Sequence, residues 1–132
     1  MRRLLFDHRV RRICAGLWAI AWLGVAALLL LPLGVAAPGR GDLVGHFLLF
    51  ATMAFAAVGF SRRPGQLAWL ALVTVALGTA LELAQGFVPY RSAELTDAVA
   101  DAAGGLAGYG AALLVLYLVI RPAEPRVRAA AP

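Results

Sequence analysis

A small set of polar side chains stands out in an otherwise apolar chain because of its spacing. Asp42 and His46 are four residues apart, Glu82 and Gln85 three, and Asp97 and Asp101 four. Each spacing puts both members on one face of a helix. A carboxylate beside an imidazole can exchange protons with a ligand, so Glu82 and His46 are the candidates for general acid–base catalysis. Asp42, Gln85, Asp97 and Asp101 are candidates for binding polar groups, and Arg91, just after Pro89, for pairing with phosphate or carboxylate. Carboxylates with one histidine can also hold a divalent cation, Mg²⁺ or Zn²⁺. No tight ligand spacing such as His-Glu-x-x-His is present, so a metal is an option, its identity is open, and no other cofactor is expected. A serine elbow, a phosphate loop and a cysteine nucleophile motif are all missing, and Cys14 has no second cysteine to pair with.

The elements that carry these residues are set by hydropathy. Of 132 residues, 62% are hydrophobic and 14% charged, where soluble domains average roughly 25% charged. Mean hydropathy is +0.82. Charges bound four apolar stretches, near 13–33, 43–60, 67–88 and 98–120, each about the length that crosses a bilayer. Backbone amides unpaired in hydrocarbon are too costly to tolerate, so the spans must be helices. The fold class predicted is all-α, an integral membrane bundle of four transmembrane helices. Residues 1–12 form a basic N-terminus, 13–120 the membrane domain, and 121–132 a proline- and alanine-rich tail without structure.

The twelve arginines orient the bundle. When alternate span ends are counted together, ten fall on one side, and only Arg40 and Arg91 on the other. The positive-inside rule then places both termini in the cytoplasm. With two of the seven carboxylates inside and five outside, the inner side carries about +8 and the outer about −3. The net charge of +5 is thus a topology signal, and nucleic acid is not an expected partner. The run ending Val35-Ala36-Ala37 resembles a signal-peptide cleavage site. Its apolar core is too long for a signal, Pro38 would follow the cut, and cleavage would leave three spans. The first helix is therefore expected to stay, with Pro32 distorting its outer end.

Helices 2 and 4 enter from outside and helix 3 leaves toward it, so all three polar pairs fall in one outer layer. At 1.5 Å per residue, His46, Glu82 and Asp101 lie roughly 5 to 10 Å below the span ends. An ionised carboxylate facing lipid at that depth costs several kcal/mol, so the pairs should face one another. Gly104 and Gly108 continue the Asp97–Asp101 stripe as a Gly-x-x-x-Gly pattern, and Gly78 lies one turn from Glu82. The plainer alternative is a buried network in which Arg91 and His46 neutralise carboxylates and lock the helices together. Asp42 and Glu94 also read as solvated residues at helix ends, and Thr96 or Asp97 as the cap of helix 4.

In order, Asp42-x-x-x-His46-Phe47, Glu82-x-x-Gln85-x-Phe87-Val88-Pro89-x-Arg91 and Asp97-x-x-x-Asp101-x-x-Gly104 resemble the VanZ-like family of small bacterial membrane proteins, over about residues 40–108. The founding member is associated with low-level resistance to the glycopeptide teicoplanin. The resemblance maps His46, Glu82, Gln85, Arg91 and Asp97 onto motif positions. Asp101 departs from the pattern, which usually has asparagine there; an extra carboxylate favours a bound cation or a shared proton. The resemblance implies a multi-pass protein of the bacterial inner membrane, linked to the cell envelope and to antibiotic resistance. Three functions compete. The first is a protein that binds a lipid or lipid-linked envelope precursor by its head group. The second is an intramembrane enzyme acting on a lipid head group, and the third a structural or assembly subunit.

Overall fold

The computed structural model describes residues 7–31, 40–89 and 93–120. All regular structure among them is helical: α1 (His8–Leu30), α2 (Arg40–Ala56) with a 3₁₀ turn (Ala57–Gly59), α3 (Pro64–Gln85) and α4 (Leu95–Val115), which closes in a π turn (Leu116–Ile120). Four of these helical segments are long and apolar enough to cross a membrane. The basic N-terminal segment before Asp7 and the predicted C-terminal tail lie outside the described residues.

Local chemistry sets the helix ends. The first helix begins before the predicted residue 13, because the Asp7 side chain accepts the Arg9 N–H at 2.7 Å and caps it. At the far end Leu31 is extended (φ −92°, ψ 150°), the conformation favoured ahead of a proline. Arg63 is extended for the same reason, and Pro64 opens α3, where its missing N–H costs nothing. The cap expected from Thr96 or Asp97 is not found: Glu94 is the N-cap of α4 and makes no side-chain cap bond, while Asp97 sits in the first turn with its side chain turned inward.

Packing is led by α2 against α4, and α3 packs against both, with Gly78 facing Phe50 and Asp101. Glycines make this possible. A Cβ on Gly104 would collide with the Phe47 carbonyl, and one on Gly108 with the Ala51 carbonyl. Only hydrogen fits between the two backbones there, as in small-residue packing of membrane helices generally. Helix α1 is held by aromatic contacts. Trp18 meets Trp22 and Phe60 edge to face, at 5.8 and 5.7 Å, and Trp22 meets Phe50 at 5.8 Å. The Trp18 indole N–H also donates to the Met53 carbonyl at 2.8 Å. The outer faces carry Leu17, Ile20, Leu23, Leu72, Leu106 and Leu114, all exposed. Such a surface suits hydrocarbon.

Candidate functional site

The site is built from one end of α2, α3 and α4. Four titratable residues from these three helices are buried together there: His46 (3% exposed), Glu82 (5%), Asp97 (7%) and Asp101 (1%). Asp42, one turn before His46 on α2, is half-buried at the rim.

His46 is the hinge of the arrangement. Its Nδ1 lies 2.9 Å from Asp101 Oδ1, and its Nε2 lies 3.9 Å from Asp42 Oδ1. The imidazole therefore has a carboxylate on each side, one in hydrogen-bonding contact and one beyond it. Phe50 stacks on the ring, with centroids 6.4 Å apart and planes 10° from parallel, which fixes its tilt. Phe50 is one turn beyond His46 on α2, so the four-residue spacing that singled out Asp42 also pointed to Phe50.

Glu82 is held by a neighbour that the sequence reading did not assign to it. The backbone N–H of Glu94, at the entry to α4, donates to Glu82 Oε1 at 2.5 Å. Oε2 of Glu82 and Oδ2 of Asp101 are buried without a hydrogen-bond partner among the described residues. Such atoms are uncommon in folded proteins and call for a cause. Gly78 explains how the Asp101 carboxylate fits, since a Cβ there would stand 3.1 Å from Oδ2. That oxygen therefore points at α3, one turn from Glu82.

Two triads could hold a cation, and both use His46: Asp42, His46 and Asp97, and His46, Glu82 and Asp101. In each, one donor atom per residue lies within 4.8 Å of the others. Gln85 shares the buried face of α3 with Glu82, but its amide donor is directed elsewhere: Nε2 donates to the Leu29 carbonyl at 3.1 Å. That bond ties α3 to the end of α1. Arg91 lies outside the described residues. Beside the layer, between α2 and α4, is an apolar recess of about 470 Å³ lined by Leu43, Leu95, Thr96, Val99, Ala100 and Ala103. Leu43 follows Asp42, and Thr96 precedes Asp97, so the recess lies at the same depth as the rim of the polar layer.

No curated protein and no solved structure is matched by this sequence. The profile of the VanZ/LLP1 family, however, matches residues 4–119 and so takes in all four helices and every residue of the layer. By that match the chain is a multi-pass membrane protein that belongs to the VanZ/LLP1 family.

Proposed function

We propose that the protein binds the polar head group of an envelope lipid or lipid-linked envelope precursor in the layer around His46, and thereby alters glycopeptide susceptibility. The observation that carries this reading is the pairing of a buried polar layer with an apolar recess at its edge. A lipid needs both chemistries at once: polar partners for the head and an apolar track for the chain. His46, Glu82, Asp97 and Asp101 would orient head-group oxygens and amides, with Asp42 at the entrance. Arg91, shortly before Asp97 in sequence, would supply a bidentate contact to phosphate or carboxylate. In this reading the protein lies in the bacterial inner membrane with both termini in the cytoplasm, and the layer opens outward.

The test is expression in a glycopeptide-sensitive bacterial host. Glu82→Gln keeps the shape and most of the hydrogen-bonding capacity of the side chain but not its charge. The variant should insert and melt like the parent in detergent, yet lose the change in teicoplanin susceptibility. Full retention of the phenotype would remove the Glu82 charge from the mechanism. Arg91→Lys, which keeps charge but loses the planar fork, should behave in the same way. Orientation is tested separately in a Cys14→Ser background. An impermeant thiol reagent should label Ala93→Cys and not Arg63→Cys, both exposed positions at opposite ends of the bundle. The reverse pattern would overturn it.

A second reading, catalysis on a lipid head group, is favoured by the 2.9 Å contact between His46 and Asp101. A carboxylate that orients an imidazole is a common way to prepare a general base. Turnover of a labelled phospholipid or lipid-linked precursor, lost in His46→Gln, would promote this reading over binding alone.

A further inference from the structure

The layer holds more buried carboxylate oxygens than its own hydrogen bonds engage. Asp101 Oδ1 is engaged by His46 Nδ1, and Glu82 Oε1 by the Glu94 N–H. The second oxygen of each carboxylate is buried with no partner among the described residues. Asp101 Oδ2 points at α3 one turn from Glu82, so the two helices bring their unanswered carboxylate edges into the same space. With both carboxylates ionised, a protonated imidazole would cancel one of the two charges. A divalent cation would cancel both, which in a low-dielectric interior is a large difference.

We infer that His46, Glu82 and Asp101 form an intramembrane site for a divalent cation, Zn²⁺ or Mn²⁺. The inference rests on the reading of this layer as a ligand site and says what the head group would meet there. Geometry permits it. Ligands about 2.1 Å from one ion lie at most about 4.2 Å apart, and the three donor atoms already lie within 4.8 Å of one another. In a tetrahedral shell such ligands stand about 3.4 Å apart, so closing it takes a side-chain adjustment of at most about 1.4 Å. The donor set selects the metal: one imidazole nitrogen with two carboxylates suits Zn²⁺ or Mn²⁺ better than Ca²⁺, which prefers six to eight oxygens. Three protein ligands leave coordination positions open, and a phosphate or carboxylate oxygen of a head group could take one. Asp101 supplies the second carboxylate of the site.

The experiment uses the full chain, purified in detergent, stripped with EDTA and placed in phosphatidylcholine nanodiscs. Titration with Zn²⁺ by calorimetry, and with Mn²⁺ by electron paramagnetic resonance, should give one ion per chain. Affinity should fall at least tenfold in Glu82→Gln and in Asp101→Asn. It should be unchanged in Asp7→Asn, which neutralises a carboxylate at the far end of α1. Absence of saturable binding, or binding unaffected by either layer variant, overturns the inference. X-ray absorption at the zinc edge of the unaltered protein decides even if a variant fails to fold: one imidazole nitrogen with oxygens is expected, and a shell without nitrogen refutes the site. Teicoplanin susceptibility of cells expressing the unaltered chain separates the two ideas. A phenotype in a protein that binds no ion leaves the head-group reading standing and refutes only the metal. One bound ion without any phenotype supports the metal site and refutes the reading it was built on.

Discussion

The two ends of the bundle handle charge in opposite ways. At the end that holds His46, the charged groups are inside, buried between α2, α3 and α4. At the other end a core of Ala57, Phe60, Leu67, Ala112 and Leu116 takes in Ser61 as a buried polar side chain, and the described arginines there are half-buried or exposed. Arg11 Nε donates to the Phe60 carbonyl at 3.0 Å, and the Arg62 backbone N–H donates to the Gln66 side chain at 3.1 Å. Burial and the nearby Arg11 push the Arg62 guanidinium below its ordinary value. Arginines at the ends of membrane helices can keep their charged heads near water while their stems lie along apolar surface. Titratable groups carried inward cost several kcal/mol if ionised and unpaired, which is why the site proposed above lies at the other end. The comparison also explains why the polar end needs its glycines: carboxylates reach the interior only where backbones approach closely enough to keep lipid out.

Four substitutions test that contrast, and the first should be the most severe. Gly108→Leu forces a side chain into the Ala51 backbone, which cannot yield as a flexible side chain would. The cost should exceed the about 1–3 kcal/mol of ordinary overpacking, and size-exclusion chromatography in detergent should recover no monodisperse protein. Gly110, where an added Cβ meets nothing within 4 Å, is the control, and Gly110→Ala should be recovered like the parent. Similar behaviour of the two would show that the α2–α4 contact does not depend on glycine.

Asp101→Ala comes next. It removes one partner of the buried His46 hydrogen bond and should destabilise by about 1–3 kcal/mol, read as a lower unfolding midpoint in detergent. A midpoint equal to that of the parent would mean the pair contributes nothing, and the contrast between the two ends would lose its energetic basis. Trp18→Phe, between the two regions, keeps the ring contacts but loses the indole bond to Met53. About 1 kcal/mol is expected, with no change in teicoplanin susceptibility. The smallest effect belongs to Arg63→Gln, an exposed rim charge. Its unfolding midpoint should match the parent within error, because solvated surface charges contribute little to stability. A marked loss there would show that the rim arginines hold the bundle together as well as orienting it.

Much of this architecture was legible before any coordinates. Hydropathy located the four spans because lipid tolerates only continuous apolar helices. The arginine distribution predicted a basic end, and of the described arginines Arg11, Arg62 and Arg63 do lie together. Spacing along each helix put His46 with Asp42, Glu82 with Gln85, and Asp97 with Asp101, and the structure gathers His46, Glu82, Asp97 and Asp101 in one buried layer. Helix ends were less legible. Asp7 caps α1 well before the hydropathic span begins, and Glu94 rather than Thr96 or Asp97 opens α4. Capping depends on which backbone groups are left over at a terminus, which hydropathy does not report.

The sequence by itself determined the helices, the faces they present and the family, since these follow from periodicity and motif order along one chain. Only the tertiary structure decided who meets whom across helices. It is Asp101, not Asp97 or Asp42, that contacts His46 within hydrogen-bonding distance, and Gln85 turns away to the carbonyl of Leu29. The physical reason lies in the rotation and depth of each helix against the next. Those are set by where two backbones can touch, at Gly104 and Gly108 against Phe47 and Ala51, and no spacing within a single helix contains that information.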